Sequence, residues 1–153
     1  MKHKPQKRHK ALQPLSREHH HGLLLSWKIR SGFSKNIDPK RIKIYADWFF
    51  ETHLIPHFNM EENHIFPILD ANNELVKRAL ADHRRLNRLF TENEDNARAL
   101  SKIEEELEKH IRFEERVLFP EIQKVATEEQ MLQIEKIHQP ESFEDKLDDE
   151  FWK

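Results

Sequence analysis

Two histidine-glutamate pairs, each set in the same longer phrase, are the residues of this chain best suited to do chemistry. His57 to Leu69 reads HFNMEENHIFPIL, and 53 positions later His110 to Ile122 reads HIRFEERVLFPEI. Both copies spell His-x-x-x-Glu-Glu-x-x-aliphatic-Phe-Pro-x-aliphatic, and the same offset also pairs Phe50 with Ile103 and Leu54 with Leu107. Four helical residues advance the chain by about 400°, so an imidazole and a carboxylate at i and i+4 leave one face a turn apart. A single rigid helix can then present both to one ion.

On an exposed face such a pair is a weak contact, worth roughly 0.2 to 0.5 kcal/mol. Here the company is apolar. Phe50, Leu54, Phe58, Ile65 and Leu69 share the stripe of His57 and Glu61, and Ile103, Leu107, Leu118 and Ile122 share that of His110 and Glu114. Charged groups on core-facing stripes carry a large desolvation cost unless something compensates them, and a metal ion is the simplest compensation. The chain has no cysteine, so disulfides, iron-sulfur clusters and thiolate zinc sites are excluded and the ligands must be nitrogen and oxygen.

The elements that must position these pairs read as long helices. Of the 153 residues only two are glycine, 35% are charged, and eleven are histidine. Pro14 and Ser16 mark a first helix start and Gly32 its end; plotted at 100° per residue, Leu12, Leu15, His19, Leu23, Ser26 and Phe33 fall in one arc, with Arg17 and Lys28 opposite. His19 lies near the middle of that arc and His20 at its edge, so either can face inward. Asp38-Pro39 opens a second helix, about 40–66, with a kink expected at Pro56 just before His57. Pro67 and Pro120 should likewise bend or end their helices. A third helix, about 74–90, carries His83 on its apolar face; a fourth, about 97–124, carries the second motif; Thr127 with Gln130 forms a capping box for a short fifth, about 128–137. His53, a turn before His57, reads as a hydrogen-bond partner of the ligands or an extra ligand, Glu62 and Glu115 as more exposed neighbours or alternates, and His3, His9, His21, His64 and His138 as surface residues.

The expected architecture is all-α: an up-down-up-down antiparallel four-helix bundle over residues 12–138 with a short extra C-terminal helix. A basic flexible arm (1–11) precedes it and an acidic tail (139–153) follows, whose Phe151-Trp152 ending can dock on the body. One inward histidine on each of four helices, plus a glutamate on the second and fourth, would converge at one level.

This pattern resembles the hemerythrin-like, or HHE cation-binding, family, over roughly residues 15–125. The resemblance implies a non-haem di-iron centre with bridging acidic residues: His19 (or His20), His57 and Glu61 for one metal, His83, His110 and Glu114 for the other, and Glu61 and Glu114 bridging. Two departures set the chain apart from the oxygen-carrying members. Ala79 and Asn87 flank His83 where a second helix 3 histidine would stand, and the helix 4 pair is one residue closer, selecting Glu114 over Glu115. Ferritin-like di-iron bundles are the nearest rival, but they use Glu-x-x-His, the reverse order and a different spacing.

The function expected is binding or sensing of O2, or of a related small diatomic or peroxide ligand such as nitric oxide or hydrogen peroxide, at iron. Two iron ions per chain are implied, with manganese or zinc also compatible with imidazole and carboxylate. An oxidant- or nitric-oxide-detoxifying enzyme and an interaction module with a structural metal are the alternatives. A net charge of −2 gives nucleic-acid binding no support, no apolar run is long enough for a membrane span, and no apolar stretch follows the basic start as a signal peptide requires. A cytoplasmic protein is expected, its protein partner unknown.

Overall fold

Every regular element among the residues that the computed structural model describes, 7–138 and 142–153, is helical. His3 and the first half of the basic arm lie outside those residues. Helix α1 (Gln13–Ser34) runs past Gly32, and the left-handed residue after it is Asn36 at φ 57°. Gly32 is needed for a different reason. A Cβ there would lie 2.7 Å from Ile42 Cδ1 and 3.1 Å from Phe151 Cδ1. The other glycine, Gly22, lets Ile111 approach in the same way, its Cβ position being 2.7 Å from Ile111 Cδ1.

Helix α2 (Pro39–Phe49) is capped by Asp38, whose side chain accepts from the Lys40 amide at 3.0 Å. It continues through a π-helical turn (Phe50–Leu54) into α3 (Ile55–Met60), a second π turn (Glu61–Ile65) and a 3-10 turn (Phe66–Ile68). Helix α4 (Glu74–Phe90) is capped by Asn73 and α5 (Asn96–Phe113) by Asp95. A third π turn (Glu114–Leu118) leads into α6 (Phe119–Val125), and α7 (Glu128–Ile137) starts at the expected Thr127–Gln130 capping box.

The three π turns account for the three expected kinks. Each ends two residues before a proline: Pro56, Pro67 and Pro120. A proline offers no N–H to the carbonyl four residues back, and its ring crowds that carbonyl. The residue ahead of each proline reaches one position further instead, Ile55 N–H to Phe50 O, Phe66 N–H to Glu61 O and Phe119 N–H to Glu114 O. After Pro56 and Pro120 the helix resumes. At Pro67 it tightens and stops, Leu69 being extended.

Two apolar clusters form the core, one around Leu25, Ile29, Phe49, Leu86 and Leu100, the other around Leu12, Leu15, Ile65, Ala79 and Phe119. Along α1 the chain passes from the second to the first; along α2 and α3, from the first to the second; the alternation repeats through α4 and α5. His19, His57, His83 and His110 each sit at the crossing.

The described residues on either side of the helices dock on this body. Arg8 donates to the Glu115 carbonyl at 2.7 Å and to Gln123 at 3.1 Å, and Ala11 is buried, so the described part of the arm is seated on the helices. Lys28, expected on the solvent side of α1, is buried under the tail: it donates to Asp145 at 2.6 Å and to the Tyr45 hydroxyl at 2.8 Å, and lies 4.0 Å from the Trp152 ring centre. Phe151 and Trp152 are 2% and 8% exposed. Truncating a core phenylalanine costs about 3–5 kcal/mol, so Phe151→Ala is expected to lower unfolding stability by that amount in a denaturant titration. At Leu147, an exposed position of the same tail, alanine should change stability by less than about 0.5 kcal/mol.

Candidate metal centre

Four imidazoles and two carboxylates meet between the two apolar clusters. His19 comes from α1, His57 from α3, His83 from α4 and His110 from α5; Glu61 and Glu114 each open a π turn one helical turn beyond the histidine of their own motif. Glu61 and Glu114 are both 0% exposed, and none of the four histidines exceeds 4%. Every one of these imidazoles turns Nε2 inward. His19 Nε2 lies 3.0 Å from Glu114 Oε1 and 3.2 Å from His57 Nε2; His57 Nε2 lies 3.4 Å from Glu61 Oε1; His83 Nε2 and His110 Nε2 each lie 3.2 Å from the nearer oxygen of Glu61 and Glu114 respectively.

These atoms form two groups of four, His19, His57, Glu61 and Glu114, and Glu61, His83, His110 and Glu114, with all ligand atoms of each group within 4.8 Å of one another. Both glutamates belong to both groups. Each group can hold a metal ion. Both oxygens of Glu61, Oε2 of Glu114 and Nε2 of His83 and His110 are buried without a hydrogen-bond partner, although His83 and Glu61 approach to 3.2 Å. The separation is short but the direction is wrong for a hydrogen bond, as it is when lone pairs point at a shared centre instead of at each other. Buried polar atoms left in this way are costly, and a cation satisfies all of them together.

The outer nitrogen of each imidazole is held by a carboxylate on another helix. Glu18 takes Nδ1 of His57 at 2.6 Å, Glu62 that of His83 at 2.7 Å, Asp82 that of His110 at 3.0 Å and Glu115 that of His19 at 2.8 Å. An ionised carboxylate only accepts, so each Nδ1 carries the proton and Nε2 is the atom left for a metal. The four pairs close a circuit through α1, the second helical run, α4 and α5. Three of these outer carboxylates have a further partner: Arg8 beside Glu115, Arg85 beside Asp82 and His138 on Glu18.

His20, the alternative to His19, is exposed, one residue and about 100° around α1 from the cluster. His53 packs on Trp48, Phe49 and Phe143 and is not among the four outer partners. His138, read as a surface residue, instead bonds Glu18 at 2.8 Å. Glu18 and Asp82 were not anticipated, and Glu62 and Glu115 have definite roles in place of mere exposure. The available signal is that each of these four acids is the immediate sequence neighbour of an inner ligand. Asn87 is exposed and Ala79 is in the apolar core, so α4 supplies only His83 to the centre.

Comparison of the chain with protein-family models, with curated proteins and with solved structures finds no match in any of the three. The chemistry of the centre therefore rests on its own electrostatics. Burial first, and the charge of Glu114 second, push the Glu61 carboxyl up to about 8. Burial opposes protonation of His110, but the charge of Glu114 and the bond to Asp82 outweigh it and raise this imidazole to about 10. His19 and His83 are raised for the same reason, against burial, by their glutamates. Glu114 stays low because His110 outweighs the effect of its burial.

Without metal, then, protons compensate the buried charge. A raised His110 stabilises the fold fully below its ordinary pKa and loses that contribution as pH rises through about 10; a raised Glu61 makes the fold less stable as pH rises toward about 8. Both signs agree. The metal-free protein should lose stability from neutral pH upward, and a bound cation, which displaces those protons, should restore it. Melting temperatures measured with and without divalent metal are expected to diverge as pH is raised from 6 to 9, and metal uptake in unbuffered solution should acidify it.

The outer carboxylates offer a second check. Asp82→Asn or Glu18→Gln should weaken metal binding by about 10- to 100-fold, measured by competition with a chelator.

Proposed function

We propose that the chain is a hemerythrin-like non-haem di-iron protein that binds or senses O2 or a related small oxidant. The observation that carries this reading is the sharing of Glu61 and Glu114 by two buried four-ligand groups. Two ions held by these groups, sharing Glu61 and Glu114 and each with two imidazoles, would use every inward donor and leave none of the buried oxygens uncompensated. The doubled His-x-x-x-Glu phrase and its resemblance to that family point the same way. The alternation of the two apolar clusters along successive helices supports an up-down-up-down four-helix arrangement, with α7 as the extra C-terminal helix.

Iron is the preferred occupant because imidazole with carboxylate, at fewer than six protein donors per ion, is the donor set of non-haem iron sites that keep open positions. A reduced iron pair, held by His19, His57, His83, His110, Glu61 and Glu114, would supply electrons and open positions to a small oxidant. The chain's own residues do the rest. Glu18, Glu62, Asp82 and Glu115 fix the four imidazoles in one tautomer and orientation. The apolar clusters on either side keep bulk water from the centre. Four outer carboxylates add negative charge, which favours the higher oxidation state of whatever metal is held. No helix of the described residues is long and apolar enough to cross a membrane, in keeping with a protein that meets a dissolved ligand.

Metal analysis of the purified chain is expected to give two iron ions per chain, one for each group, with a visible absorption band that changes on reduction. His57→Ala and His110→Ala each remove a donor from a different group, so each variant should lose at least one ion. Full metal content in both variants would refute the reading. Zinc alone, with no redox-linked change, would instead make the metal structural.

A further inference from the structure

A cavity of about 30 Å³ lies against His19, His57 and His110, walled by Leu54, Phe58, Leu107 and Ile111. A single water needs roughly 10 to 15 Å³ by the same measure. With Phe143 as part of its lining, the space suits a diatomic molecule or hydrogen peroxide. Outside it a cleft of about 380 Å³ opens, bounded among others by Arg17, Thr52, His138 and Ser142.

Five residues line both spaces: Glu18, His21, His53, His57 and Phe143. The two spaces adjoin at these residues. Four of the five sit in helical segments, so their positions are set by the core. Phe143 alone comes from the non-helical tail. Its ring stacks on His21, centres 3.9 Å apart and planes 11° off parallel, and lies 4.7 Å from the ring of His53. Two residues further on, Asp145 holds the tail down: it accepts from Lys28 and from the Tyr45 hydroxyl, both at 2.6 Å.

We propose that Phe143 is the specificity-determining residue of the centre, a ring that separates cleft from cavity and limits access to small, neutral ligands such as O2, nitric oxide or hydrogen peroxide. The proposal rests on the di-metal reading for its consequence, but the gate is a property of the chain. A phenyl ring between two imidazoles can swing out without moving a helix, so small ligands pass during brief openings while larger ones are refused. The Asp145 anchorage decides where the ring returns.

Two peroxides of different bulk test it. Each takes two electrons from a reduced iron pair and two protons; the O–O bond breaks, and hydrogen peroxide leaves as two waters, tert-butyl hydroperoxide as water and tert-butanol. In the iron-loaded full chain, oxidation followed by absorbance should be slower with tert-butyl hydroperoxide by about tenfold or more. Phe143→Ala should accelerate the bulky peroxide by a similar factor with little change for hydrogen peroxide, and Phe143→Trp should slow both. Equal discrimination in all three proteins, at equal iron content, would overturn the gate while leaving the metal centre standing. A second measurement needs no iron: relaxation of the Leu107 and Ile111 methyl groups by dissolved O2, read by NMR in diamagnetic protein, should rise in Phe143→Ala and fall in Phe143→Trp. If metal analysis finds no iron, that result would still sustain the gate; no change in either variant would remove it.

Discussion

Two carboxylates with no exposure to water, buried in the middle of a helical protein, constrain everything around them. Glu61 has no hydrogen-bond partner on either oxygen and Glu114 lacks one on Oε2. Ionised groups in that position are tolerated only if a countercharge stands beside them. The protein supplies two kinds of answer. Where no metal is bound, protons on Glu61, His19, His83 and His110 compensate the buried charge, and those groups are raised accordingly. A metal pair does the same with better directionality, because the unpartnered lone pairs already converge.

The outer carboxylates explain how such a centre is kept rigid. Each is the sequence neighbour of one ligand yet bonds a histidine on a different helix: Glu18 beside His19 serves His57, Glu62 beside Glu61 serves His83, Asp82 beside His83 serves His110, and Glu115 beside Glu114 serves His19. A helix that turned to aim its own ligand elsewhere would also release its neighbour's. The four helical runs are thus coupled at the level of the metal site by charge-assisted bonds, while the apolar clusters above and below hold them by burial. Loss of one acid should therefore be felt on the next helix and not on its own.

Much of this was legible in the residues. Helix starts follow from caps that act locally: Asp38 with Pro39, and the Thr127–Gln130 box. The inward choice of Glu114 over Glu115 follows from 100° per residue, since i+4 returns to the histidine and i+5 does not. What periodicity alone does not carry is pairing between helices. Lys28 falls on the polar side of α1, yet it is buried because the tail lies over it with Asp145, an acid 117 positions away. His53 lies on the stripe of His57 and so reads as its support, but the acid that supports His57 is on α1. Gly32 reads as a helix end because glycine usually marks one; its actual cause is the approach of Ile42 and Phe151, a tertiary contact with no local signature.

The prolines show how a local rule and the site fit together. In an unbroken α-helix Phe119 and Ile122 would point about 180° and 120° away from His110. The π turn that opens at Glu114 holds one surplus residue, which brings them back to about 80° and 20°. Both are fully buried, and the Phe119 ring stacks on His19 with centres 5.3 Å apart and planes 19° off parallel. Because the surplus residue comes after Glu114, the His110–Glu114 spacing is untouched and only the residues beyond it are rotated. Pro120, which cannot serve the carbonyl of Arg116, favours the widened turn over the regular one. A proline six residues past the buried glutamate is therefore part of how the histidine on α1 is seated.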